Sequence, residues 1–305
     1  MSLRVLGLAF VIALVLDAHS LSAQQWQTLE NEPSRAELFA QFVAPRNKPE
    51  AFALLGPFVF PADTTIDKTT NASRTDVIFG IDVSHYESAD IRFDIMRDQN
   101  VRFVYAKATQ GVGFKDAKFA DFWTALGALP AERKVLRGAY HFLSSGDDPV
   151  AQADSFLKLL DENGGLQPGD LPPVLDLEWD IAAKNGPDRW SGHTPDAILN
   201  AVTAWLSRVK DKTQRIPIVY TARAWWRERN IPEEKFAVLG DYRVWIADYS
   251  NSSRALETPA VPNNGAFHLW QFSETAKLST GYGGALDANV YFGDDLKFLN
   301  DFQIK

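Results

Sequence analysis

From Val77 onward, short apolar runs alternate with stretches in which apolar side chains recur every three or four positions. The first pattern predicts buried strands and the second amphipathic helices, and together they make the rhythm of βα units around a parallel sheet. Eight strands are predicted, at 78–83, 101–107, 135–142, 173–178, 216–221, 243–247, 267–272 and 286–291. Helices are predicted at 91–99, 115–126, 149–163, 195–210 and 233–239, several opened by Asp, Ser or Thr with Pro in the first turn. Eight strands with fewer helices predict an α/β fold, a modified (β/α) TIM-like barrel filling residues 77–305.

Ahead of Val77 this rhythm is missing. Residues 24–76 read as an extension and linker, with a short helix through Phe42 opened by a capping box of Ser34 and Glu37. Residues 1–23 read as a secretory signal: Arg4 is followed by an almost wholly apolar run from Val5 to Leu16, and Leu21-Ser22-Ala23 ends in a small residue suited to cleavage. The run is shorter than the roughly 20 residues that cross a bilayer, so no integral membrane span is expected. The mature chain should start near Gln24 and work in the periplasm or outside the cell, as a monomer.

Composition narrows the chemistry. With 46% hydrophobic residues the chain can bury a large core. The absence of cysteine removes disulfides, thiolate nucleophiles and thiolate-bound metals. A net charge of −8 argues against a nucleic-acid partner, since polyanion binders concentrate Lys and Arg. The triplets Asn71-Ala72-Ser73 and Asn251-Ser252-Ser253 fit the glycosylation pattern but read as ordinary loop sequence.

A barrel of parallel strands carries its active site at the C-terminal strand ends, and there the polar residues form a set. Strand one ends in Asp82-Val83-Ser84-His85-Tyr86, strand two at Lys107, strand three in Tyr140-His141-Phe142, and strand four in Asp176-Leu177-Glu178-Trp179. Strand six runs into Asp248-Tyr249, strand seven holds Trp270-Gln271, and strand eight carries Asp287 and Asn289. Because a strand projects alternate residues to one face, Asp176 and Glu178 point together, with Cα atoms about 6.5 Å apart. Two carboxyls so close repel, which favours one of them keeping its proton. Glycoside hydrolysis needs that pair: an acid for the leaving oxygen and an ionised partner for the oxocarbenium-like transition state. Asp82 and Asp287 lie on the first and eighth strands, which adjoin when a barrel closes. Tyr86, Tyr140, Trp179, Trp245, Tyr249 and Trp270 offer flat rings for sugar faces near the same strand ends.

Taken in order, these segments resemble the glycoside hydrolase family 25 lysozymes, the Chalaropsis-type muramidases, from about Phe79 to Gly293. The shared elements are 80–86 (Gly-Ile-Asp-Val-Ser-His-Tyr), 103–111, 138–142, Asp176-Leu177-Glu178, Trp245 to Tyr249, Trp270-Gln271-Phe272 and Asp287-Ala288-Asn289. The resemblance implies hydrolysis of the β-1,4 bond between N-acetylmuramic acid and N-acetylglucosamine in peptidoglycan glycan strands, without a metal or other cofactor. It maps the catalytic acid onto Glu178, the assisting carboxylate onto Asp176, two further active-site aspartates onto Asp82 and Asp287, and a site tyrosine onto Tyr140. The substrate's own 2-acetamido group is expected to take part as nucleophile, oriented by Asp176.

The chain departs from the family pattern at Glu87, where Gln is usual, at Phe93, where Trp is frequent, and in a longer segment over 180–193. Three other readings stay open at this point: a chitinase-like glycosidase, a barrel that binds peptidoglycan without cutting it, and a metal-dependent hydrolase using His85 and His141. The last has suitable ligand types but no paired-His motif.

Overall fold

The computed structural model describes residues 56–67, 71–182 and 186–304. The signal sequence at 1–23, the capping box at Ser34 and Glu37, and the rest of the extension up to residue 55 lie outside the described residues.

In chain order the elements begin with β1 (Val59–Phe60), α1 (Ala62–Thr65), β2 (Ile66–Asp67), β3 (Ala72–Ser73), β4 (Val77–Val83), β5 (Val101–Gln110), β6 (Phe114–Lys115), α2 (Phe119–Gly127) and β7 (Leu136–Phe142). They continue with α3 (Pro149–Glu162), β8 (Val174–Leu177), α4 (Pro195–Thr213), β9 (Ile218–Thr221), α5 (Arg223–Glu228) and β10 (Arg243–Ala247). The chain closes with α6 (Asn251–Leu256), β11 (Leu269–Leu278), β12 (Leu286–Phe292) and α7 (Asp295–Asp301).

The two long helices start where their caps dictate. Asp148 accepts from the amide of Ala151 and Thr194 from that of Ala197, each with Pro at the next position. On α4 the residues Ile198, Val202, Trp205 and Val209 recur at helical spacing and are all fully buried, so this stripe fixes which face meets the sheet. Segments 91–99 and 233–239 form only 3-10 turns, at Phe93–Ile95 and Glu233–Leu239, instead of α-helices. For the first the cause is tertiary: Ile91, Phe93 and Met96 all turn into the core, and Gln99 accepts from both the amide and the hydroxyl of Ser279.

Eight strands close into a barrel in the order β4-β5-β7-β8-β9-β10-β11-β12, with β12 returning to β4. Seven run parallel, while β12 is antiparallel to both neighbours. The connection 279–285 is too short for the dozen or so residues a parallel crossover needs, so the last strand must fold back as a hairpin. That reversal puts Asp287, at the start of β12, beside Asp82, near the end of β4.

Large rings fill the barrel interior. Tyr105 packs on Trp245 with ring centroids 5.1 Å apart, and Phe298 of α7 stacks on Phe103 at 5.6 Å. Two glycines make this filling possible. A Cβ at Gly80 would lie 2.3 Å from the Phe103 ring, and one at Gly138 2.1 Å from the Tyr105 ring.

No helix separates β11 from β12 in the chain, and the described part of the extension packs against this hairpin and β4. Strand β1 adds in parallel to the far end of β11, and Phe58 sits 5.3 Å from Phe79 and 4.9 Å from Phe272, ring to ring. Arg74 donates to the carbonyl of Asp63 and pairs with Glu257, tying the segment down.

Candidate active site

A cleft of about 350 Å³ opens at the C-terminal ends of the parallel strands. Each barrel strand sends at least one side chain to its lining: Asp82 from β4, Lys107 from β5, Tyr140 from β7, Asp176 from β8, Tyr220 from β9, Trp245 from β10, Gln271 from β11 and Asp287 from β12. Glu178 lines it from just beyond β8, one alternation after Asp176. The register explains the gathering, since Asp176 pairs with Tyr220, Tyr220 with neighbouring Trp245, and Asp82 with Asp287 across the closing strands.

Asp176 and Glu178 are almost fully buried, at 5% and 2% exposure, so charge on either is poorly solvated and acts strongly on what enters the cleft. Asp82 is fixed from two sides. One of its oxygens accepts from the amide nitrogens of Gln271 and Asn289, each at 2.7 Å. Gln271 is itself oriented by two phenols: Tyr220 donates to its Oε1 at 2.6 Å, and Tyr249 donates to the same atom. The opposite end of that amide therefore faces Asp82 and, more distantly, Asp287 at 3.4 Å. Lys107 donates to Gln110 Oε1 at 2.7 Å and lies over the Phe142 ring at 5.1 Å. Burial, reinforced by the charges of Asp82, Asp176, Glu87 and Asp116, keeps the Tyr140 hydroxyl from ionising, so it stands in the cleft as a neutral donor. Burial is also the main cause of the raised proton affinity of Glu87, with the charge of Asp82 acting in the same direction against a bond from the Ser84 amide.

Of the residues singled out in the sequence, Asp82, Tyr86, Lys107, Tyr140, Asp176, Glu178, Trp245, Gln271 and Asp287 come together on this cleft. Four lie behind it. Trp179 is buried and donates to Glu228 on α5, and Trp270 donates to the carbonyl of Asp248. Asp248 accepts from the amides of Ser250 and Ala260 and the hydroxyl of Ser253, which shapes the loop after β10. Tyr249 acts through Gln271, as described. Two polar lining residues, Tyr220 and Glu274, were not singled out in the sequence. Tyr220 falls at the end of the fifth predicted strand, where a polar strand end can be read. Glu274 follows a register shift between Gln271 and Ser273, so strict alternation from Gln271 does not find it.

The two histidines of the metal-dependent reading both have protein partners. His141 is wholly buried, with Nδ1 on the Thr109 hydroxyl at 2.7 Å and Nε2 on the Gln152 carbonyl oxygen at 3.1 Å. His85 Nδ1 meets Asp116 at 2.8 Å. Among the described residues no group of three or more His, Asp or Glu side chains is placed to hold a metal ion.

Burial pushes the His141 imidazole down from 6.5 to about 3, which gives a prediction with a definite sign. The folded protein holds His141 neutral, whereas the unfolded chain takes up its proton below 6.5, so this stability is present above pH 6.5 and drains away towards pH 3. The contribution is on the order of a few kcal/mol. Unfolding free energy measured from pH 7 to 4 should fall more steeply in the native protein than in His141→Gln. Equal slopes would remove His141 as the cause.

Comparison with known proteins agrees with this geometry. The family model for "Glycosyl hydrolases family 25" matches residues 81–280. The chain is 33% identical over 226 residues to the N,O-diacetylmuramidase of Arthroderma benhamiae, covering 72% of this chain and 85% of that protein. It is 28% identical over 239 residues to lysozyme M1 of Streptomyces globisporus, covering 76% of this chain and 74% of the relative. Among solved structures, the bacterial lysozyme from Streptomyces coelicolor superposes with a TM-score of 0.62 at 27% identity, over 75% of this chain and 98% of that one. The muramidase from Acremonium alcalophilum gives 0.58 at 28% identity, over 72% and 96%. The barrel, the carboxylate-lined cleft at its open end and these matches together make the chain a glycoside hydrolase, a member of glycosyl hydrolases family 25.

Proposed function

We propose that this enzyme is an exported muramidase that hydrolyses the β-1,4 bond between N-acetylmuramic acid and N-acetylglucosamine in peptidoglycan, with Glu178 as general acid and then base. The observation that carries the reading is the neighbouring pair Asp176 and Glu178, almost fully buried in a cleft that every strand of the barrel helps to line. Likeness to muramidases of both bacterial and fungal origin supports the substrate.

In the first step Glu178 gives its proton to the glycosidic oxygen as the bond to C1 breaks. The carbonyl oxygen of the substrate's 2-acetamido group closes on C1 in place of a protein nucleophile, and Asp176 accepts the acetamido N–H and balances the positive charge that develops. In the second step water adds to C1, its proton passes to Glu178, and the acetamido ring reopens. Configuration at C1 is then retained. Asp82 and Asp287, tied together through Gln271, border the reacting sugar, and Tyr140 supplies a neutral donor.

The test is mass spectrometry of the products released from purified peptidoglycan by the protein from Gln24 onward. Fragments ending in reducing N-acetylmuramic acid are expected. Reducing N-acetylglucosamine ends would instead make it a glucosaminidase, and intact glycan with protein bound would make it a binding barrel. No helix among the described residues is long and apolar enough to cross a membrane. Recovery of the full-length chain in the cytoplasmic fraction of its host would contradict export.

A further inference from the structure

The turn that follows β4 is pinned from within and from the loop after β6. From within, the Glu87 carboxylate accepts from the Ser84 amide at 2.5 Å and the Ser84 hydroxyl at 3.3 Å. From the loop after β6, Asp116 accepts from the His85 amide and meets its ring nitrogen, both at 2.8 Å. From the same loop, Lys118 donates to the carbonyls of His85 and Glu87. What this turn presents is the ring of Tyr86, 52% exposed at the lip of the cleft. Behind it lies the His85 ring, with centroids 4.1 Å apart and planes 36° apart, and Phe114 backs His85 at 5.5 Å.

The hydrogen bonds hold the backbone beneath the Tyr86 ring, and the tilted contact with His85 supports the ring itself. An exposed ring binds well only when it need not be ordered on contact, because each side chain immobilised on binding costs about 0.5–1.5 kcal/mol. The Asp116 and Lys118 contacts fix His85 and the backbone. Within the turn the Glu87 amide donates to the Ser84 carbonyl and the Tyr86 amide to the Ser84 hydroxyl, each at 3.3 Å, and the Glu87 carboxylate, which itself lines the cleft next to Ser84 and Tyr86, adds its shorter bond to the Ser84 amide.

We propose that Glu87 is a positioning residue, whose carboxylate braces the Ser84–Glu87 turn so that Tyr86 forms a preset stacking platform for an N-acetylhexosamine ring at the rim of the cleft. The inference rests on the glycan-cutting reading and assigns one subsite within it. The apolar C–H face of a pyranose packs on the phenol ring while the polar edges of the sugar stay in water. Glu87 does not touch the reacting atoms, and its effect passes through the turn.

The experiment measures the dissociation constant of a soluble N-acetylhexosamine oligosaccharide on a Glu178→Gln background, where nothing is turned over. Glu87→Ala should weaken binding about tenfold, equivalent to about 1.4 kcal/mol. Glu87→Leu, of similar bulk and without an acceptor, takes its place if the alanine variant does not fold. Glu87→Gln keeps an oxygen for the Ser84 amide and should stay within about threefold of the parent. Tyr86→Ala should match the loss in Glu87→Ala, and the double variant should be no weaker than either single one, since both remove the same platform. Wild-type affinity in Glu87→Ala, failure of Glu87→Gln to rescue, losses that add to about a hundredfold, or no affinity in the parent would each overturn the proposal. If the native enzyme releases no muramic acid ends from peptidoglycan, the muramidase reading fails separately, and these affinities still decide the platform.

Discussion

Glu178→Gln should lower kcat about 10³-fold or more while the melting temperature and the affinity for glycan change little. The amide has the shape of the acid but no proton to give at the pH of the assay, and general acid–base catalysis contributes about 10²–10⁴-fold. Loss of a thousandfold corresponds to about 4 kcal/mol of transition-state stabilisation. Since Glu178 is 2% exposed, water has little access to replace it as proton donor. Single-turnover assays on purified peptidoglycan, with circular dichroism to verify folding, decide the matter. Retention of more than a tenth of native kcat in a folded variant would remove Glu178 from the acid role.

Asp176→Asn should cost about 10²-fold in kcat with KM changed less than about threefold. The side chain sits on β8 between Phe142 of β7 and Tyr220 of β9, so its position is set by three strands and an isosteric amide can occupy it. On the proposed mechanism the variant loses the negative charge that faces the acetamido group as that group becomes cationic, an interaction stronger in the transition state than in the bound substrate. An effect confined to KM would instead make Asp176 a ground-state binding residue. Proton NMR of the first-formed anomer from the native enzyme adds a second arm. Retention agrees with acetamido participation, and inversion would assign Asp176 to activating water directly.

Periodicity revealed much of the fold because it reports which face of a strand or helix is buried. All eight barrel strands were legible, and the sixth matches its predicted ends at Arg243 and Ala247. The longest helices were equally plain, because Asp148-Pro149 and Thr194-Pro195 combine a cap with a proline start. Shorter pieces escaped. Helix α5, Arg223–Glu228, carries both Trp225 and Trp226 buried, and six residues are too few for a pattern to emerge. The site divides along similar lines. Asp176 and Glu178 were read as a pair because alternation within one strand is a local rule, whereas Trp179 also looked available for sugar and is in fact buried against Glu228.

The sequence by itself determined the strand count, the end of the barrel that carries the chemistry, the facing of Asp176 and Glu178, and membership of a recognisable family, because each follows from local spacing or short motifs. Tertiary structure decided the rest. A short connection turned β12 antiparallel and set Asp287 against Asp82, a register shift brought Glu274 into the cleft, and the Tyr220 and Tyr249 hydroxyls oriented Gln271 towards Asp82. These are contacts between residues far apart in the chain, and a hydrophobic pattern fixes which face a residue takes without specifying the register or partner it meets there.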